Sequence, residues 1–249
     1  MEPGRTDQLV VALRSAARSL TDRRSIRDLE ETLGRIVSCA METIPGVDAA
    51  SVSMTEHGRI ETRHPTSEAI RKIDDIQSRL FEGPCISALE DRPDSGIVIA
   101  QDLAGGDAAR WPRFAPGAVA AGYRGLMSTT LTSDGGVRGS LNLYSRQPDA
   151  FDEHARTLAG LFGVQAALVL VGVNQAANLQ KAVDSRDVIG QAKGILMERF
   201  GVDDQTAFQM LVRSSQDTNL KLTAVARWLP TEAANSARPD AGRVDRPGR

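Results

Sequence analysis

From Phe151 to Phe200 the chain carries helical periodicity without a single proline, and three of its five glycines (Gly160, Gly163, Gly172) fall in the first half of that stretch. Phe162, Val169, Ala176 and Val183 recur every seventh residue. Leu161, Leu168, Gln175, Ala182 and Ile189 run in parallel with them. A seam held over about three to four heptads suggests a two-helix contact with another chain. The simpler alternative is a helix that lies on a sheet. Both are expected: the first half packs on a sheet, and the second half pairs with a second copy. Gln175 on the seam weakens the pairing while helping to set its register.

Upstream, helix and strand patterns alternate. Leu9 to Leu20 reads as an amphipathic helix, and Leu29, Leu33, Ile36, Val37, Ala40 and Ile44 make the stripe of a second, ending at Pro45-Gly46. Ala49 to Met54 and Ile60 to His64 read as paired strands around His57-Gly58. A polar helix spans Glu68 to Leu80, a short one Ile86 to Leu89, and Ile97 to Ala100 is an apolar strand. Trp111-Pro112-Arg113-Phe114 is expected to open a further helix, with proline in its first turn. Leu126 to Thr132 and Arg138 to Tyr144 form a hairpin about Asp134-Gly135-Gly136. Hairpins without a strict strand–helix–strand rhythm imply an antiparallel sheet with helices on its faces.

Beyond Ser185 the long helix offers Ile189, Ala192, Leu196 and Phe200 as an inner stripe, and Gly201 sits at its C′ position. Asp203 caps the next helix, with Ala207, Phe208, Leu211 and Ser215 as its stripe. Asn219 is expected to start a third helix carrying Leu222, Val225, Ala226 and Leu229, and Pro230 to stop it. Phe200 and Phe208, on apolar stripes, are expected in the core. The fold class is therefore α+β: an antiparallel sheet with flanking helices, a long coiled-coil helix, and a small three-helix bundle.

Composition narrows the function. With 41% apolar and 25% charged residues the chain is ordinary globular material, no apolar run is read as approaching a bilayer span, and no signal peptide is evident; a cytoplasmic protein is expected. Cys39 and Cys85 allow no disulfide framework, and His57, His64 and His154 are scattered. No metal ligands, catalytic residues or cofactor are nominated. Glu56, Glu61 and Glu82 make no spaced acid/base pair and read as solvated. Cys85 reads as a small buried residue beneath Gly83-Pro84, although a thiol near a helix N-terminus, with Arg92 nearby, invites a redox role. Asp102 reads as a cap and Trp111 as packed.

Ser185-Arg186-Asp187-Val188-Ile189-Gly190-Gln191-Ala192-Lys193-Gly194-Ile195-Leu196-Met197, followed by Ala207-Phe208 and Leu222-Thr223-Ala224-Val225-Ala226, resembles the ANTAR domain. Glu82-Gly83-Pro84-Cys85, Trp111-Pro112-Arg113-Phe114 and Gly139-Ser140-Leu141-Asn142-Leu143-Tyr144 resemble the GAF domain that often precedes it in actinobacteria. Periodicity gives an N-terminal helical extension (1–24) and a coiled-coil linker at 174–183. The tail at 231–249, rich in Pro, Ala, Gly and Arg, reads as disordered, its Arg238, Arg243, Arg246 and Arg249 more solvated than bound to phosphate. The resemblance implies a GAF-like sensor at 25–173 and an ANTAR module at 184–230. It also implies binding to paired RNA hairpins by a homodimer, preventing transcription termination, with a possible small-molecule ligand on the GAF domain and no membrane partner. The RNA-binding residues it implies are Arg186, Lys193, Arg213, Asn219 and Lys221, beside small Ala192 and Gly194.

Charge alone would not have suggested this. The net charge is −2, and between Asp184 and Leu229 six basic residues (Arg186, Lys193, Arg199, Arg213, Lys221, Arg227) face six acidic ones (Asp184, Asp187, Glu198, Asp203, Asp204, Asp217). Affinity must then come from spatial clustering of the cations. Two other functions compete: a thiol-dependent enzyme or redox sensor on the GAF fold, and a DNA-binding regulator using the last two helices. The first wants two nearby reactive cysteines. The second wants polar residues early in its recognition helix, where Thr223, Ala224, Val225 and Ala226 offer few.

Overall fold

The computed structural model describes Arg14 and residues 28–56, 58–91, 93–131 and 138–236, with 231–236 by backbone alone. Arg14 apart, the helix expected over Leu9–Leu20, the turn at Asp134-Gly135-Gly136 and the arginines of the tail lie outside the described residues, as do His57 and Arg92. The chain divides into two compact units, residues 1–176 and 177–249.

The first unit is a five-stranded antiparallel sheet in the order β2-β1-β5-β4-β3. Its strands are β1 (Ala49–Glu56), β2 (Arg59–Arg63), β3 (Ile97–Ala100), β4 (Gly125–Thr130) and β5 (Gly139–Ser145). Both expected hairpins form, with Val52 opposite Arg63 and Ser128 opposite Asn142. Because successive side chains alternate, Ala50, Val52, Met54, Leu141 and Leu143 point to one face. There they meet α1 (Leu29–Thr43) and the first part of α5 (Glu153–Phe200), through Leu33, Ile36, Leu158, Phe162, Ala166 and Leu170. Asp28 caps α1 by accepting from Glu30 N at 2.8 Å. Burying a ring such as Phe162 contributes roughly 2–3 kcal/mol.

The other face is covered by α2 (Glu68–Leu80), α3 (Pro84–Glu90) and α4 (Ala115–Ala120), with Ile70, Ile73, Ala88, Trp111, Phe114 and Ala118 in its core. Trp111 is packed as expected, donating to Ser87 Oγ at 3.2 Å. The helix expected to open at Trp111 instead begins at Ala115, with Phe114 as its cap residue. Glu82 explains the delay: its carboxylate accepts from the backbone N–H groups of Arg113 and Phe114 at 2.7 and 3.0 Å, holding that segment as a turn. Cys85 lies inside α3 rather than in the turn before it.

Residues 157–180 contain no charged side chain, so the expectation that no apolar run approaches a membrane span was too restrictive. Among the described residues α5 is long and apolar enough to cross a bilayer by composition. Its apolar side has another use: Leu158, Phe162, Ala166, Leu170 and Val173 are buried within the sheet unit.

The second unit contains the end of α5, α6 (Asp204–Thr218) and α7 (Leu222–Ser236). Its core is small: Ala192, Leu196, Ala207, Leu211, Val225 and Ala226. Asp203 caps α6 as expected, accepting from Thr206 N at 2.8 Å. Two expectations fail here. Asn219 does not start the third helix; it ends the second as a left-handed residue at φ 53°, a conformation asparagine tolerates. Pro230 does not stop α7, which runs through it to Ser236. Proline removes one backbone donor, and Glu232, Ala233 and Ala234 beyond it are strong helix formers.

Candidate functional site

In the second unit an open groove of about 840 Å³ is lined by Arg186, Asp187, Gln191, Lys193 and Phe208 around Gly190. Arg186 and Lys193 are spaced i, i+7, two turns of one helix, and so share a face. A Cβ added at Gly190 or Gly194 would meet nothing within 4 Å, so the helix backbone is open to close approach there. Arg186 is exposed. Lys193 is engaged: its Nζ lies 2.5 Å from Asp204 Oδ1, and its side chain is only 22% exposed. That ion pair ties α5 to α6 and leaves Arg186 as the freer cation of the groove.

The remaining expected residues divide. Arg213, Asn219 and Lys221 are all exposed, but none lines this groove. Ala192 is fully buried in the bundle core, so its small size serves helix packing, not RNA approach. Phe200 and Phe208 correct the sequence reading in the other direction. They are 58% and 36% exposed, because a core built largely on Ala192, Ala207 and Ala226 leaves no room for rings.

The first unit holds a second arrangement, a polar floor buried between the sheet and its helices. Asn142 Nδ2 donates to Ser53 Oγ at 2.9 Å, and its Oδ1 accepts from Ser128 Oγ and Ser140 Oγ at 2.9 and 3.1 Å. Tyr144 OH donates to Asp74 Oδ1. Burial pushes the Asp74 carboxyl up to about 6, against the opposing hydrogen bond from Tyr144. Cys85 borders the same floor, its N–H donating to Gln77 Oε1 at 3.0 Å, and burial pushes its thiol up to about 12. It is a packed residue, as expected, and a thiol in that state is a poor nucleophile.

The loop carboxylates are structural. For Glu82, burial would raise the pKa, but hydrogen bonds from Arg113 and from the Phe114 backbone outweigh it and hold the carboxyl below its usual range. This corrects the reading of Glu82 as solvated. Asp102 caps no helix: its Oδ1 accepts from Ala104 N at 2.9 Å in the loop, and the carboxylate pairs with Arg124. Glu56 and Glu61 converge on Arg63 at 3.1 and 2.9 Å.

A family model for the GAF domain matches residues 26–171, and one for the ANTAR domain matches residues 177–229. The chain belongs to the GAF and ANTAR domain-containing proteins. Solved structures resemble the GAF unit in fold. The GAF domain of an Acinetobacter phosphoenolpyruvate-protein phosphotransferase is 15% identical with a TM-score of 0.50, over 68% of this chain and 97% of that one. A free methionine-R-sulfoxide reductase from Neisseria meningitidis, in complex with its substrate, is 16% identical with a TM-score of 0.50, over 71% and 95%. The Stigmatella aurantiaca phytochrome photosensory core module gives 13%, a TM-score of 0.53, and coverage of 80% and 43%. No curated protein matches at a significant level.

Against that fold, the residues missed by the sequence reading stand out. The GAF sheet carries Ser51 and Ser53 on β1 and Ser140 and Asn142 on β5, all buried. Alternating serines beside apolar residues ordinarily mean a solvated face. The available signal was Asp74 and Gln77, two polar residues spaced i, i+3 on a helix that also carries Ile70 and Ile73. A helix that lays carboxyl and amide groups on a sheet needs polar partners beneath them.

Proposed function

We propose that this GAF–ANTAR protein is a cytoplasmic RNA-binding antitermination regulator. Its ANTAR unit captures paired hairpins in nascent RNA, and its GAF unit modulates that capture in response to a small molecule. The division of labour is a sensor at 25–173, a helical linker at 174–183 and a reader at 184–230. The observation that carries the reading is the groove that gathers exposed Arg186, Gln191 and Phe208, with the half-buried Lys193, around Gly190 within the ANTAR-matched segment. RNA loops are read by side chains that reach unstacked bases, with cations on the backbone. Arg213, Asn219 and Lys221 extend the exposed polar surface.

Two hairpins require two readers, and the outer side of α5 offers a way to pair them. Leu161, Val164, Leu168, Leu179 and Val183 are exposed along it. An apolar helical stripe of that length favours a homodimer. The protonated, buried Cys85 argues against the thiol-enzyme alternative.

Arg186→Ala is the cleanest test, because Lys193→Ala would also release Asp204. The wild-type protein should bind a tandem-hairpin RNA more tightly than duplex DNA of equal length. Arg186→Ala should weaken RNA binding about tenfold and lower the salt dependence by roughly one counterion. Equal affinity for both nucleic acids, or a folded protein that ignores the RNA, would overturn the reading.

A further inference from the structure

The three helices of the ANTAR unit enclose a second cleft, of about 310 Å³, whose walls include Arg199, Phe200, Met210, Ser214, Trp228 and Leu229. Its volume lies at the small end of ligand pockets, roughly 300–1,000 Å³. Phe200 is 58% exposed and Trp228 60% exposed, while Leu211 and Val225 beneath them are buried. A bundle with so thin a core leaves Phe200 and Trp228 largely outside it, so two aromatic faces stay open to solvent at the mouth of the cleft. No carboxylate lines the cleft. Arg199 is exposed and, among the described residues, has no ion-pair partner, whereas Lys193 is held by Asp204.

From this we infer that the cleft is a base-binding subsite: one unpaired nucleobase of the RNA enters between Phe200 and Trp228, and Arg199 meets the adjoining phosphate. The inference rests on the RNA-binding reading and adds to it a second point of contact besides the Arg186 groove. Aromatic faces stack on bases without needing a matching hydrogen-bond edge, and an unpaired arginine beside them supplies the charge complement. Ser214 adds a hydroxyl at the rim. A protein partner fits less well, because a stable protein interface needs about 1,000 Å² or more of buried surface, while the cleft is lined by only ten residues.

The test uses the full chain and a synthetic RNA of two hairpins with single-stranded loops. The protein has two tryptophans, and Trp111 is buried in the GAF unit, so quenchable exposed emission belongs to Trp228. Titration with the RNA should quench that emission and shield it from acrylamide. Trp228→Ala should weaken binding about tenfold, with Trp228→Phe restoring most of it. Replacing the loop nucleotides by abasic sites should erase the difference between wild type and Trp228→Ala. Arg199→Gln provides a second variant that removes no apolar surface, and it should weaken binding to the intact RNA.

If Trp228→Ala and Arg199→Gln bind as wild type does while Arg186→Ala weakens binding, the subsite is wrong and the broader reading survives. If Trp228→Ala changes the molecular mass by light scattering and leaves RNA affinity unchanged, the cleft is a self-association surface and the inference falls. If the folded wild-type protein binds no RNA, both fall together.

Discussion

Asp74 is a carboxyl group among hydroxyls and amides, with Cys85 close to it and the charge of Asp75 adding a small upward push to its pKa. Held at about 6, it keeps its proton in the folded chain over a range where the unfolded chain, near 3.8, has released it. The folded state therefore binds more protons between those values, and stability contributed by this group is greatest below about 4 and falls as pH rises through 6. A shift of two units corresponds to about 3 kcal/mol. Asp74→Asn should raise the urea midpoint at pH 8 and flatten the fall between pH 4 and 8. Parallel curves for the two proteins would remove Asp74 as the cause. Glu82, Asp102 and Asp107 are held below their usual values, so their contributions have the opposite sign: they are present above those values and are lost as pH falls below them, at the acid end of the window and beyond it. Cys85 should stay unlabelled by iodoacetamide in the folded protein at pH 8 and react on unfolding. Labelling at the rate of a free thiol would reopen the redox alternative.

Helix α5 is the element on which both units depend, and two of its glycines distinguish its surroundings. At Gly163 a Cβ would sit 2.6 Å from Thr129 Oγ1 on β4, whereas at Gly172 it would meet nothing within 4 Å. Gly163→Ala should destabilise the protein by roughly 1–3 kcal/mol, because helix or strand must shift. Gly172→Ala should be neutral or stabilising by up to about 1 kcal/mol, since alanine is the better helix former. Thermal melts of the two variants provide the check, and similar midpoints would mean that α5 does not press on β4 as described. The cap of α2 is a milder case. Ser67 Oγ accepts from Ile70 N at 3.3 Å, and Ser67→Ala should cost about 1 kcal/mol.

At the scale of the whole molecule the prediction concerns copies. Leu168 and Leu179 are 68% and 69% exposed on the uncharged stretch of α5. Leu179→Glu should convert a dimer to a monomer by light scattering. It should also reduce affinity for a two-hairpin RNA toward that for a single hairpin, because linked binding is lost. A wild-type monomer at working concentration would remove the paired-hairpin mechanism and leave a single reader.

The order of elements was legible in the chain because it is set by near neighbours. Period 2 places Ala49 to Met54 in a strand, period 3.6 places Glu68 to Leu80 in a helix, and the Asp203 side chain caps a helix by accepting from the backbone only three residues on, as found. The family motif at Ser185–Met197 was legible for the same reason, being continuous in sequence. What period cannot report is which element lands on which face. Tertiary packing alone put Ser53 and Asn142 under Asp74, fixed Glu82 to the backbone of Arg113, drew Lys193 to Asp204, buried Ala192 and left Phe200 and Trp228 outside. Each of those outcomes depends on partners at least ten residues away, whose proximity is decided by how helices and sheet fill space and not by any local preference.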